Sequence, residues 1–257
     1  MAFGSGVMVS FIMAILSQIT KEKASMANTT RIHCNNIPIN ITRSHRRKTM
    51  ALQIRNGQAY VRIPSELPLE YVQRFIRKKQ HWITQNIAEQ QAALPNRQFI
   101  DGELLPFLGE ALELQFQQTG KNDIIKKQNQ LTIRMASNQS SIRRRQRVEF
   151  WLRQQASSYF EQRMNALSKR TGLLPSSLKT RSYRARWGSC SINGDIKLNW
   201  KLIMAPPRII DYVIIHELCH LNHHNHSAAF WQLVDQFDSN RKINRNWLKQ
   251  HSLQLEL

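Results

Sequence analysis

Tyr212-Val213-Ile214-Ile215-His216-Glu217-Leu218-Cys219-His220 is the stretch on which the reading of this chain turns. Pro206-Pro207 stands just before it, and proline is tolerated in the first turn of a helix. Ile209, Ile210, Val213, Ile214 and Ile215 make the segment apolar nearly all round, so the spacing predicts a deeply buried helix. On a helix, residues i and i+4 share a face, and His216 and His220 can then reach one ion. Glu217 is offset by one position, outside the ligand shell but able to take a proton from an attacking water. With 9 His in 257 residues, this H-E-x-x-H pattern arises by chance in about 1% of such chains.

A catalytic zinc site needs a third protein ligand, and His223, His224 and His226 are the candidates. On a continuous helix, rising about 1.5 Å per residue, His223 would lie about 10 Å along the axis from His216 and His224 about 12 Å. Neither converges with the first pair on an ion whose bonds are about 2 Å long. The chain must turn first. Asn222 and Asn225 flank the candidates, and asparagine tolerates the left-handed conformation that ends helices. His226 is far enough on to fold back, and we assign it as the third ligand, with Zn2+ as the expected metal. Ser227 caps a following helix that carries Phe230, Trp231 and Val234.

Upstream, Leu178 to Trp187 reads as a strand interrupted by Gly188-Ser189-Cys190, with Asn193-Gly194 as a tight turn and Asp195 to Trp200 running back. Arg184 and Arg186 would share one strand face, with Lys197 on the partner strand. Guanidinium forks suit phosphate oxygens, so these three are the candidate substrate-binding residues. The Asp195 to Trp200 strand is also a candidate edge for aligning an extended peptide.

Further out, Ser141 opens a long helix that ends near Gly172, both expected capping residues, with Val148, Trp151, Leu152, Phe160, Met164 and Leu167 as its apolar stripe. Arg143, Arg144, Arg145 and Arg147 crowd its first turn. Leu131 to Arg134 and parts of 99–117 read as short strands. Residues 68–90 read as one amphipathic helix with Tyr71, Phe75 and Trp82 as core. Pro38 to Thr42 and Thr49 to Ile54 read as a hairpin around Arg46-Arg47-Lys48, with Asn56-Gly57 turning into Ala59 to Ile63. No internal repeat is visible. Val7 to Leu16 is apolar but too short to span a bilayer, which takes about 20 residues, and it lacks signal-peptide flanks.

The expected class is therefore α+β. Residues 1–29 form a poorly ordered extension, and 30–140 a strand-rich region with one amphipathic helix. Residues 141–257 form a central helix followed by the metal-binding, catalytic domain. The charge of +20, from 37 Lys and Arg against 17 acids, favours anionic partners and keeps nucleic acid among them. Three cysteines, Cys34, Cys190 and Cys219, form no disulfide framework and suit a reducing compartment, taken here as the cytoplasm. Net charge does not speak to oligomeric state.

The chain also resembles the YgjP-like family of metallopeptidase-fold proteins. The resemblance covers nearly everything after residue 30. It rests on Arg186-Trp187-Gly188-Ser189-Cys190, Leu198-Asn199, the Tyr212–His220 stretch, Asn225-His226-Ser227 and Phe230-Trp231. It extends to Asp101-Gly102-Glu103, Leu108-Gly109 and Trp82-Ile83. It implies a zincin-like C-terminal domain with three histidine ligands. It also implies hydrolysis of peptide bonds or, as assigned to some members, of nucleoside triphosphates such as UTP. Three functions follow: a metallopeptidase-like hydrolase with Glu217 as base, a nucleotide pyrophosphatase using the same site, and a basic nucleic-acid-binding module with a structural zinc. The last needs a fourth ligand, for which Cys190 and Cys219 are the candidates.

Overall fold

A computed structural model describes residues 29–34, 36–137, 140–183 and 185–257. The expected extension, Thr29 apart, and the apolar run at Val7 to Leu16 lie outside them, as does Arg184. The chain forms two compact units that divide between Ala93 and Leu94. The sequence reading places the boundary at 140/141 instead. The difference arises because the strands at 104–135 supply Leu105, Leu114, Leu131 and Ile133 to the same core as the long helix that follows.

In the first unit, β1 (Thr29–Cys34), β2 (Ile37–Ser44), β3 (Ala51–Arg55) and β4 (Gln58–Pro64) form one sheet in the order β1-β2-β4-β3. The expected pairing of β2 with β3 is not made. β4 lies between them, parallel to β2 and antiparallel to β3. The cause is burial: Ala59, Val61 and Ile63 are wholly inaccessible, so β4 takes an interior position, while every residue of β3 is only half-buried. Asn56 and Gly57 have φ of 49° and 67°, which closes the β3–β4 turn.

Residues 68–90 form two helices and not one, α1 (Leu69–Lys78) and α2 (Gln80–Ala93), with no proline or glycine at the break. Val72, Ile76 and Ile83 are their buried residues, packed on Ile39, Ile41 and the β4 side chains. Tyr71 and Trp82, expected in the core, are 54% and 43% exposed. The aliphatic stripe is the one that meets the sheet, and the aromatics fall beside it.

In the second unit, β5 (Leu104–Phe107), β6 (Glu110–Gln118), β7 (Ile124–Lys127) and β8 (Gln130–Met135) make a sheet ordered β5-β6-β8-β7. Its strand senses repeat those of the first sheet. The topology is thus duplicated where the sequence shows no repeat, because hydrophobic alternation is kept while residue identity is not. The long helix α3 (Ser141–Thr171) ends at Gly172, which takes φ 73° and returns its N–H to the Ser168 carbonyl. A three-stranded sheet follows, ordered β10-β11-β9, from β9 (Ser177–Arg181), β10 (Gly188–Cys190) and β11 (Asp195–Asn199). A 3-10 turn (Trp200–Met204) leads to α4 (Pro207–Cys219), α5 (Ala228–Phe237) and α6 (Arg241–His251). No helix among the described residues is long and apolar enough to cross a membrane.

Candidate metal centre

α4 is apolar nearly all round, and Ile209, Ile210, Ile214 and Leu218 are buried in the core of the second unit. That burial fixes its C-terminal end, where His216, Glu217 and His220 sit. The helix does not end by a left-handed asparagine, since neither Asn222 nor Asn225 has positive φ. It tightens instead: the N–H groups of Leu221 and Asn222 donate to the carbonyls of Leu218 and Cys219, three residues back. Asn225 Oδ1 accepts from Ser227 N at 3.2 Å, and the Ser227 side chain accepts from Phe230 N at the start of α5. This path returns His226 to α4.

The result is a cluster of three imidazoles. One ligand atom from each of His216, His220 and His226 lies within 4.8 Å of the others. Ring centroids are 4.9, 5.1 and 4.8 Å apart for the pairs 216–220, 216–226 and 220–226. The Nε2 atoms of His216 and His226 face each other at 3.1 Å. Phe230, fully buried, forms the floor, stacking on His220 at 4.4 Å, and Trp231 stacks on His226 at 5.4 Å.

The donor set fits a divalent metal. At 3.1 Å the two Nε2 atoms are within reach of a shared proton, as a neutral N–H···N bond, or of one metal ion. Burial, with help from His220, His226 and Arg245, pushes His216 down to about 3, which favours the neutral ring that a metal needs. Two nitrogens bound to zinc at about 2.0–2.1 Å with a tetrahedral angle stand about 3.3–3.4 Å apart, close to the observed separation. Burial also lowers His220, and its Nδ1–H donates to the His223 carbonyl at 2.9 Å. That bond fixes the tautomer and leaves the Nε2 lone pair toward the cluster. His223 thus contributes its backbone, and His224 is exposed at the cavity wall. Among the described residues, neither Cys190 nor Cys219 joins the cluster. Burial pushes their thiols up to about 11 and about 12, so neither is a ready thiolate.

Glu217 stands beside the cluster, 5% exposed, with its carboxyl raised to about 8 by burial and opposed by Arg186. Its place depends on Gly188. A Cβ at that position would lie 2.5 Å from Glu217 Oε1 and 2.7 Å from its Cγ. Glycine is required there for space and not for its φ. In the sequence Gly188 stands out only as a strand interruption and as part of the Arg186–Cys190 stretch. The available signal was an isolated glycine in a strand, which marks close approach. Gly188→Ala should therefore leave the fold and the metal in place and displace the carboxylate, lowering kcat by about 10², the cost of an ångström-scale misplacement. Normal turnover with bound metal would show that the carboxylate position is immaterial.

An open cavity of about 580 Å³ adjoins the cluster, walled by β10 and α4. Arg186 lines it, exposed, with its guanidinium 4.8 Å over the Tyr183 ring. Residues 182–183 and 185–187 are loop and not the expected strand, so strand alternation says nothing about Arg186. Buried Asn199 pins that loop by donating to the carbonyls of Tyr183 and Arg186 at 3.1 and 3.3 Å. Lys197 pairs in register with Ser189 and Lys179, on the face of β11 opposite the Leu198–Gly188 row that meets Glu217. It does not line the cavity. β11 is the central strand, so the expected peptide-aligning edge at 195–200 is not available. The edge is β10.

No curated protein matches the sequence significantly. Among solved structures, the metallopeptidase zymogen of Pyrococcus abyssi abylysin is 22% identical, over 35% of this chain and 93% of that one, with a TM-score of 0.32. A likeness of that size supports no argument here. The sequence matches the YgjP-like, metallopeptidase domain family over residues 48–251. With that match spanning most of its length, and with the histidine cluster inside it, the chain belongs to the YgjP-like metallopeptidase-domain family.

Proposed function

We propose that this protein is a zinc-dependent hydrolase of the H-E-x-x-H type, with His216, His220 and His226 as ligands and Glu217 as general base. The observation that carries it is the convergence of two Nε2 atoms at 3.1 Å with a third imidazole alongside, next to a buried carboxyl. When bound, the metal supplies Lewis acidity, polarising the bond to be broken and lowering the pKa of water toward neutrality. Glu217 accepts the proton of the attacking water and returns it to the leaving group. β10 offers backbone groups at an open edge beside the cavity, which suits an extended peptide.

A second reading, nucleoside triphosphate hydrolysis at the same site, draws on Arg186, an exposed guanidinium at the cavity wall suited to phosphate oxygens. The two are separated by hydrolysis of UTP and of a casein-like peptide by wild type and Arg186→Ala at low and moderate salt. Phosphate binding predicts that truncation costs about 1.5–3 kcal/mol and that affinity weakens with salt. A peptide held by backbone pairing keeps its KM in both comparisons, whatever Arg186 does to kcat through Glu217. No triphosphate cleavage, with peptide KM unaffected at Arg186, sinks the nucleotide reading. No metal-dependent cleavage of either sinks the hydrolase.

Arg186 also carries a pH prediction. Its charge lowers the Glu217 pKa, and the base acts as carboxylate. Activity therefore rises with pH through that pKa, and Arg186→Ala should move this acidic limb to higher pH. An unmoved limb in the kcat/KM profile would show that Glu217 does not set it.

A further inference from the structure

The first unit carries an open sheet face that the hydrolase site does not use. Strand alternation places Ile32, Ile39, Ile41, Val61, Leu52 and Ile54 under α1 and α2. The opposite face is polar. Register aligns Arg31, Asn40, Tyr60 and Gln53 in one row across all four strands. The next row on that face holds Thr42, Arg62 and Ala51, and the row on its other side holds Gln58 and Arg55. Tyr60 sits at the centre of this face, half-exposed, with its hydroxyl donating to Gln58 Oε1 at 2.8 Å. Arg31 donates to Asn40 Oδ1 at 3.3 Å, and Arg62 to Gln53 Oε1 at 2.9 Å. Arg55 shares the same Gln53 oxygen. The guanidiniums are thus held on the face by neutral amide oxygens, with their charge uncompensated.

The charge is segregated. Residues 29–93 contain eleven Lys and Arg against three Glu. Those acids, Glu66, Glu70 and Glu89, lie in the loop after β4 or in α1 and α2, and none is on the sheet face. Among the described residues, every ion pair within 4 Å falls in the second unit. At the β2–β3 end, beside the Arg62 row, His45, Arg46 and Lys48 are exposed as well. The second sheet, built to the same topology, serves as an internal control. Its corresponding face carries exposed Glu113, and Arg134 is paired there with Asp123 at 3.5 Å. Its face mixes acids with cations, Glu113 and the Arg134–Asp123 pair beside Lys127, whereas that of the first sheet carries no acid.

We infer that this face, centred on Tyr60 with Arg31, Arg55 and Arg62 around it, binds single-stranded nucleic acid. Alternating bases and phosphates match an aromatic platform ringed by unpaired guanidiniums. Base stacking on an aromatic ring is sequence-tolerant, and arginine supplies the phosphate contacts. A duplex hides its base faces and cannot use Tyr60. The inference does not rest on the hydrolase reading, since no residue of it belongs to the histidine cluster or its cavity.

The test is fluorescence anisotropy on the full chain with short labelled oligouridylate and oligothymidylate, a duplex of equal length, and inorganic polyphosphate. The RNA and DNA arms decide which strand is preferred, and binding of either supports the inference. Tyr60→Ala should weaken single-strand binding about tenfold, whereas Tyr60→Phe keeps it and polyphosphate binding is unchanged. Arg62→Gln should reduce the salt slope of single-strand binding by about 0.7, the share of one phosphate contact, and Arg31→Gln likewise. These exposed positions also decide the matter if Tyr60→Ala fails to fold. Single-strand binding indifferent to Arg31 and Arg62, or a Tyr60→Ala loss that is equal for polyphosphate or duplex, would overturn the inference.

Discussion

Glu217→Gln should keep its zinc and lose at least ~10² in turnover, the usual worth of general-base catalysis. The amide is nearly the same size as the carboxyl, so the packing against Gly188 is preserved. It has no lone pair basic enough to take a proton, and the three imidazoles are untouched. The carboxyl is almost wholly buried and raised to about 8 in the chain by itself. A nearby cation and Arg186 both favour its ionised form. Glutamine removes that response, so the loss should persist across pH and no alkaline recovery should appear. Metal content by atomic emission, measured alongside turnover, is the check. A Glu217→Gln protein with full metal and near-normal turnover would assign water activation to another group.

His226→Ala should cost the metal itself, while His224→Ala keeps it. His226 is exposed and lies in the turn between α4 and α5, so its truncation leaves the core of α4 intact. What it removes is the nitrogen facing His216 at 3.1 Å. Two imidazoles remain, which is one protein ligand short of a catalytic site. Affinity should fall by more than the ~10–100-fold that loss of an outer partner costs. His224, on the cavity wall and outside the cluster, provides the matched control. Equilibrium dialysis against a zinc buffer, with circular dichroism to confirm folding, reads both variants. Retention of the metal by His226→Ala would refute the ligand set.

Much of the candidate site was legible because it is local. The i, i+4 spacing of His216 and His220 follows from helix periodicity, and rise per residue alone forces a turn before any third histidine can converge. The long helix, its glycine cap at Gly172, the Asn193-Gly194 turn and the Ser227 cap are likewise written in short windows of sequence. The α+β class follows from the same alternation and periodicity.

What the sequence could not decide is which distant segments meet. Alternation in β2, β3 and β4 fixes which face of each strand is apolar, yet it does not say that β4 inserts between the other two, because pairing depends on competing burial across the sheet. The same gap made 195–200 look like an edge when it is the central strand between β9 and β10, and it hid that Lys197 lies on a face turned away from Glu217. The dependence of Glu217 on the missing side chain of Gly188, the Phe230 floor and the His223 carbonyl behind His220 are contacts between elements. The duplicated sheet topology and its unequal charge emerge only when strand order is known. Local spacing set the two histidines on one face of the helix. Packing decided what surrounds them, since burial is settled by the whole chain at once.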